Sequence, residues 1–467
     1  MDYNISVEEY LEKMEAKEID YSDFISAYLE KVESENKKFC FLNTMIKERA
    51  ENPKETFFGL PFSVKDDICV KGLQSTAGSR ILEGYVPPFD ATCIENIRKN
   101  HGFLFGKTNQ DEFGFGTFST NSGYQIPKNP LDPTRTAGGS SGGAASIIAA
   151  LNMPQIAVSE STGGSTTAPA AFCGVAGLTP TYGLISRYGL IDYASTLDKI
   201  CIISRSVYDI AASLSVMASY DPKESTSIKK GPEKYQLNLG TDFKKLNIGV
   251  PKEYMENLGK KIEKCVWDAI KKMEGLGAKY EEVSLPHTKY SLATYYIIAT
   301  SEASTNLAKF SGMRYGVEGE IKGNFNEYFS KIRTEYFGEE AKRRILLGTF
   351  ARMSGYRDQY YMKAMKVRTL VIQDFKKAFS KFDVLVSPSM PVIAPKFTEI
   401  QKMTPLENYM MDILTVSPNL AGIPMISVPC GKADGMPVGL HILGDHLQEQ
   451  KVLNAGYEFE KANYGKN

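Results

Sequence analysis

Two glycine- and serine-rich runs in the first half of the chain constrain its folding more than any other feature. Residues 138–143 read GGSSGG and residues 159–165 read SESTGGS. Between them stand a stretch of small apolar residues at 143–151, which predicts a helix, and a short β-type run at 156–158. A Gly/Ser linker joins elements loosely, yet here each run abuts a segment that must pack in a core. Glycine beside serine suits a tightly packed loop instead, with backbone N–H groups converging on an anion or an oxyanion.

Around these runs, short apolar stretches alternate with helical periods. Strands are expected at 103–105, 156–158, 248–250, 384–386 and 426–428, and helices at 143–151, 207–217, 262–273, 360–379 and 448–461. Interleaving of this kind predicts an α/β fold, a sheet covered by helices. At the start, Ser6 and Glu9 form an S-x-x-E capping box ahead of Tyr10, Leu11 and Met14. Ser22 opens a second helix carrying Phe24, Ile25, Tyr28, Leu29 and Val32, completing a helical pair over 6–36. The polar stretch 221–245 reads as a surface loop within one domain spanning 1–467.

Charge narrows the function. Fifty-five basic residues balance fifty-five acidic ones, which excludes a broadly basic surface that grips nucleic acid unaided. The most apolar stretch, around 144–151, is far too short to span a bilayer. Seven scattered cysteines, odd in number and never in a CxxC pair, argue against a disulfide framework and against structural zinc, and point to a reducing compartment. The acidic N-terminus carries neither an Arg-rich leader nor an apolar signal core.

Three patterns invite a wrong reading. Gly138, Ser140 and Gly142 satisfy GxSxG, but a nucleophile elbow needs a buried strand just before it, and Pro130, Asp132 and Pro133 stand there. Gly102, Gly106, Lys107 and Thr108 resemble a phosphate loop with one residue too few between the glycines. A serine triad needs a histidine, and His101, His287, His441 and His446 all lie far from the Gly/Ser runs in sequence, as surface or satisfied core residues would. A lysine can replace histidine as base. Lys65, in GLPFSVKDD, follows apolar Phe62 and Val64, and a dry surrounding disfavours its ammonium. A solvated lysine paired with Asp66 or Asp67 is the competing reading.

The order Lys65, GGSSGG, TGGS and APAAFCGVAGLTPTYG resembles the amidase signature family over nearly the whole chain. The segments FGKTNQDEFGFG, PTYGLISRYGLIDYASTLDKI, YYIIATSEASTNLAKFSGMRYG, FGEEAKRRILLGTF, YYMKAMKVRTL and NLAGIPMISVPCG are similar to one branch of it, the glutamine-hydrolysing subunits of tRNA-dependent amidotransferases. The resemblance implies a large twisted mixed sheet flanked by helices on both faces. It implies a Ser-cisSer-Lys site with Ser165 as nucleophile, Ser140 as cis-serine and Lys65, uncharged, as base. The oxyanion hole falls on the backbone of Thr162, Gly163 and Gly164. The ends of glutamine fall to Tyr295, Arg344 (or its neighbour Arg343) and Asp412. No cofactor is implied for this chain. ATP and Mg2+ belong to a B subunit that binds tRNA(Gln), and a small C-like or F-like third subunit clasps the pair.

The chain departs from that pattern in places. Ser161 stands where the family has aspartate and Thr167 where it has arginine, so both members of a possible ion pair are absent together. The link from the helical pair to Gly59 is shortened. Such drift resembles an organellar form, which places the protein in the mitochondrial matrix if its source is eukaryotic and in the cytoplasm otherwise. Two other functions share the motifs: a free-standing amidase on a small amide, and a scaffold subunit that has lost activity.

Overall fold

The computed structural model describes residues 3–46, 56–241 and 243–465. In it, neighbouring residues of single strands belong to different cores. Val384 and Val386 join one apolar cluster while Leu385 between them joins another, and Ile442 and Leu443 part in the same way. Successive strand side chains point to opposite faces, so one sheet is packed on both sides.

Its strands, numbered along the chain, are β1 Leu42–Met45, β2 Pro61–Lys65, β3 Phe103–Thr108, β4 Lys128–Asn129, β5 Asp132–Thr136, β6 Ile156–Ser161, β7 Ala176–Thr179, β8 Lys199–Ser204, β9 Asn247–Pro251, β10 Lys279–Val283, β11 Val384–Pro388, β12 Met425–Ala433 and β13 Met436–Gly444. β4 and β5 form a separate ribbon, and the other eleven make one sheet in the order β1-β3-β2-β6-β8-β7-β12-β13-β11-β9-β10. The pairings β3-β2-β6 and β11-β9-β10 are parallel and the rest antiparallel. This is the expected mixed sheet flanked by helices. Edge strand β10 carries Lys279, Glu281 and Glu282, exposed charges that discourage pairing with another chain.

Each expected strand and helix forms; the helix at 207–217 keeps its ends and the others extend or shift. The first helix, Val7–Glu15, is capped by Ser6, whose side chain accepts the Glu9 N–H. The second begins at Tyr21 rather than after Ser22, because the Asp20 carboxylate accepts the Asp23 N–H at 2.9 Å and caps it there. The helix expected at 360–379 is Lys363–Phe379, entered through a π-helical turn, Asp358–Met362. The stretch 221–245 is irregular but fastened down: Asp221 accepts from Thr92 and Ser186 at 2.5 and 2.7 Å, and Tyr235 and Phe243 are buried. Residues 47–55, where the shortened link falls, lie outside the described residues.

The topology gathers a site. β2, β3 and β6 are parallel neighbours, so their carboxyl ends, at Lys65, Thr108 and Ser161, open on one edge of the sheet. Loops beyond strand carboxyl ends are where α/β sheets bind ligands.

Candidate active site

Lys65 ends β2 with its side chain sealed from solvent. Its Nζ donates to Ser140 Oγ at 2.8 Å, to Glu160 Oε2 at 2.7 Å and to the Glu160 carbonyl at 3.2 Å, and the Asp67 carboxylate stands 3.4 Å away. The solvated-lysine reading is therefore overturned. Asp66 turns elsewhere, accepting from Thr76 and Asn43 and facing Lys107 at 3.8 Å. The surroundings of Lys65 work against the uncharged form expected. Burial pushes its pKa down, but Asp67 and Glu160 together outweigh burial and hold it above the ordinary lysine value. Its Nζ lies in a cage of two carboxylates, which favours the ammonium.

The cage has a second layer. Thr162 Oγ1 lies 2.8 Å from Glu160 Oε1 and 2.8 Å from Asp198 Oδ1. One hydroxyl proton serves both, donating to one carboxylate at a time. Burial and the charge of Glu160 push the Asp198 pKa well up, and burial pushes Asp67 up to about 7. Glu160 and Asp198 escaped the sequence reading. The signal for Glu160 was an acidic residue inside a run otherwise made of serine, threonine and glycine.

Two loops carry the serines. Ser140 follows a cis peptide bond with Gly139, where any side chain would strike the Asp111 carboxylate. The Ser141 N–H donates to the Ser165 carbonyl at 3.2 Å and the Ser141 hydroxyl to the Glu160 carbonyl at 3.0 Å, stitching the loops side by side. Ser165 is 6% exposed, at the boundary between interior and solvent. Before it, the backbone N–H groups of Gly163 and Gly164 donate to no other group among the described residues. A Cβ on Gly163 would stand 2.8 Å from the Tyr295 hydroxyl, so only glycine lets that ring close over the loop.

Beside the loops opens a cavity of about 240 Å³ lined by Thr117, Asn121, Glu340, Arg343, Arg344 and Tyr409 among others. Arg344 is buried, with Nε donating to Glu340 at 2.8 Å and Nη1 to the Tyr193 hydroxyl at 2.5 Å. Four rings, of Phe115, Tyr193, Tyr296 and Tyr409, stand 5.0–5.5 Å from its guanidinium. Arg343 is far more exposed and pairs with the other oxygen of Glu340. Asp412 accepts from Thr117 Oγ1 at 2.9 Å and from the Tyr296 hydroxyl at 2.6 Å, and burial raises its pKa. Tyr295 and Tyr296 are successive residues of the helix Ser291–Asn306, about 100° apart around its axis. The first covers Gly163 and the second holds Asp412, a role that sequence reading did not assign.

Other marked residues lie outside the cluster. Lys107 of the phosphate-loop look-alike is buried in β3, donating to the Ile68 carbonyl and to Ser75. Neither nitrogen of fully buried His441 has a hydrogen-bond partner among the described residues, and burial pushes its pKa down to about 3, so it is not the satisfied core residue expected. The Ser161 and Thr167 hydroxyls are buried without partners too. Two unpaired hydroxyls are a smaller burden than one unpaired charge.

Comparison with known proteins follows the same lines. The family described as Amidase matches residues 6–453. The A subunit of glutamyl-tRNA(Gln) amidotransferase from Methanococcoides burtonii is 52% identical over 404 residues, 86% of this chain and 84% of that protein. The protein of the same description from a Geobacillus strain is 49% identical over 406 residues, 87% of this chain and 83% of its own. Among solved structures, the Thermotoga maritima protein of that description superposes with a TM-score of 0.83 at 33% identity, covering 100% of this chain and 97% of that one. A 6-aminohexanoate cyclic dimer hydrolase, 21% identical with a TM-score of 0.85, covering 99% of this chain and 98% of its own, shares the fold.

Proposed function

The chain belongs to the amidase family, and on that premise we propose that it is the glutamine-hydrolysing subunit of a tRNA-dependent amidotransferase. The observation that carries this reading is the sealed Lys65–Ser140 hydrogen bond of 2.8 Å, set against the Ser165 loop. Identity of about half with glutamyl-tRNA(Gln) amidotransferase proteins along most of the chain supports it.

Ser165 is the nucleophile. Serine attacks an amide only when a neighbour takes its proton, and Ser140, whose hydroxyl both accepts and donates, passes that proton toward Lys65. As the carboxamide carbon becomes tetrahedral, the N–H groups of Gly163 and Gly164, with that of Thr162, receive the oxyanion. One such donor is typically worth about 3–4 kcal/mol. Arg344, which lines the cavity, takes the α-carboxylate of glutamine; Asp412, hydrogen-bonded to the cavity residue Thr117, takes the ammonium, and Tyr295, over Gly163, closes the reacting end. Ammonia leaves first, and water then frees glutamate from Ser165.

The ammonia is consumed by partners. A B subunit binds tRNA(Gln), uses ATP and Mg2+ to activate its attached glutamate, and accepts the ammonia; a C-like or F-like third subunit holds the two together. The balanced charge of this chain accords with leaving tRNA to a partner. Of the two placements, the archaeal and bacterial sources of the relatives named above favour the cytoplasm. The test is a glutaminase assay on the chain alone and with its copurified partners. Glutamine turnover that rises on assembly and is coupled to Gln-tRNA(Gln) formation is expected. A monomer fully active on simple amides and indifferent to partners would point to the free-standing amidase instead.

A further inference from the structure

The proton that leaves Ser165 needs a place to stop. Lys65 lies 2.7 Å from Glu160 and 3.4 Å from Asp67, a setting that favours the ammonium, which has no lone pair to offer Ser140. Its shortest contact does have one: Glu160 Oε2, 2.7 Å from the same Nζ that donates to Ser140 at 2.8 Å. We propose that Glu160, reached through Lys65, is the terminal acceptor of the nucleophile's proton, so that the lysine hands a proton on and keeps its charge throughout. The inference rests on the amide-opening reading above and names the group that completes it.

The step balances. As Ser165 Oγ bonds to the carboxamide carbon, the C=O π pair moves onto oxygen. The Ser165 proton goes to Ser140, the Ser140 proton to Lys65 Nζ, and one ammonium proton to Glu160 Oε2. The negative charge has then moved from Glu160 to the oxyanion, and the Lys65 cation neighbours the path throughout. When the C–N bond breaks, the electron pair returns to the carbonyl. The relay then runs backwards and its proton leaves on ammonia. Adding water repeats the cycle.

The surroundings of Glu160 suit this traffic. Its second oxygen takes the Thr162 hydroxyl at 2.8 Å, and that hydroxyl can turn to Asp198 at the same distance. Asp198 is itself held by the Tyr193 and Ala194 N–H groups at 2.9 Å. The titratable groups facing Glu160 are Lys65 and Asp67 from the end of β2, Asp198 from the turn before β8, and Cys201 on β8. Burial keeps the Cys201 thiol up at about 12 and the Asp198 carboxyl protonated well above its usual range, leaving Lys65 and Asp67 to set the charge there at neutral pH. Glu160 acts only through Lys65 and touches neither substrate nor nucleophile.

The two ways of running the site predict opposite pH behaviour. If Lys65 itself were the final base, Glu160→Gln would free more of its neutral form and move the rising limb of the rate toward acid. If Glu160 is the acceptor, the same change strands the proton on an ammonium that Asp67 still holds, and the limb moves toward alkali. The readout is the rate at which a fluorophosphonate probe phosphonylates Ser165, followed by intact mass from pH 5 to 10. It needs no glutamine, so a chain labelled at Ser165 but idle on glutamine refutes the proposed function alone. We expect wild type to plateau by neutral pH. Glu160→Gln should label at least about 100-fold more slowly at pH 7, with recovery above pH 9. An unchanged rate, a limb shifted to acid, or no label on Ser165 overturns the proposal. Should Glu160→Gln not fold, wild type decides: a rate still climbing beyond pH 9, with no neutral plateau, follows the ammonium and overturns it.

Discussion

Lys65 and Lys199 are both buried at ends of strands, β2 and β8, that flank β6, and the protein treats their charges in opposite ways. Lys65 lies 2.7 Å from one carboxylate and 3.4 Å from another, and its pKa is raised. Lys199 donates to the Ile423 carbonyl at 3.3 Å with no carboxylate within ion-pair distance among the described residues, and burial, helped by the repulsion of Arg368, pushes it down to about 7. Lys107 on β3 falls between them: one carboxylate at 3.8 Å, a backbone carbonyl and a serine hydroxyl, and a lowered pKa. Burial is common to all three, so the partner set decides the sign. A dry site by itself makes an uncharged amine; a dry site with two carboxylates makes a fixed cation and a store of protons.

The largest expected effect breaks the Lys65 cage. Lys65→Ala removes the relay, and glutaminase turnover should fall by about 10²–10⁴. It also leaves Glu160 and Asp67 buried without a cation, which costs about 3–5 kcal/mol. That loss grows as pH rises and Asp67, pushed up to about 7, ionises, so thermal melts of the variant should fall further below wild type at pH 8 than at pH 5. Equal melts at both values would show that the cage carries no net charge.

At the proposed substrate end, Asp412 is buried and accepts from Thr117 and Tyr296. Asp412→Ala should raise the KM for glutamine by about 10–100-fold with a smaller change in kcat. An unchanged KM removes Asp412 from the ammonium site.

Lys199→Met tests the other member of the comparison. The native pKa, about 7, lies below the unfolded value, so between pH 7 and pH 10.5 the unfolded chain binds more protons and stability climbs with pH. The penalty of Lys199 is therefore full below pH 7 and fades toward pH 10. The methionine variant should be more stable than wild type by roughly 1–3 kcal/mol at pH 6, with the gap closing by pH 10. A destabilised variant would mean that the ammonium has a partner the geometry does not reveal.

Asp67→Asn should have the smallest effect. The native pKa of Asp67, about 7, lies above its unfolded value, so its contribution to stability falls as pH rises from about 4 to 7. The asparagine variant should match wild type at pH 4 and exceed it at pH 8, read from denaturant midpoints, with glutaminase activity reduced less than in Glu160→Gln.

The fold was largely legible because it rests on periodicity. Strands such as β6 and β11 read as short apolar runs and the helix Val207–Met217 as a longer one. Errors came at ends set by single side chains, as with the Asp20 cap. In the site, Lys65, Ser140 and Ser165 stood out through the glycine runs and the family resemblance; the fold joins Lys65 to Ser140 and stitches the two serine loops through backbone. The partners of Lys65 were not legible, for a physical reason. Neighbours in sequence say that a lysine is dry, but its charge depends on Glu160, which another strand brings within 2.7 Å. Tyr296 was passed over for Tyr295 in the same way, since helix rotation alone decides which ring meets Asp412.

The central claim is that Ser165 opens the carboxamide of glutamine to supply ammonia. It is tested most directly by Ser165→Ala in the assembled complex, with Gln-tRNA(Gln) formation measured from glutamine and from ammonium salt. The account predicts that the glutamine-driven reaction is lost and the ammonia-driven reaction proceeds at the wild-type rate. Glutamine-driven product at an undiminished rate would contradict it.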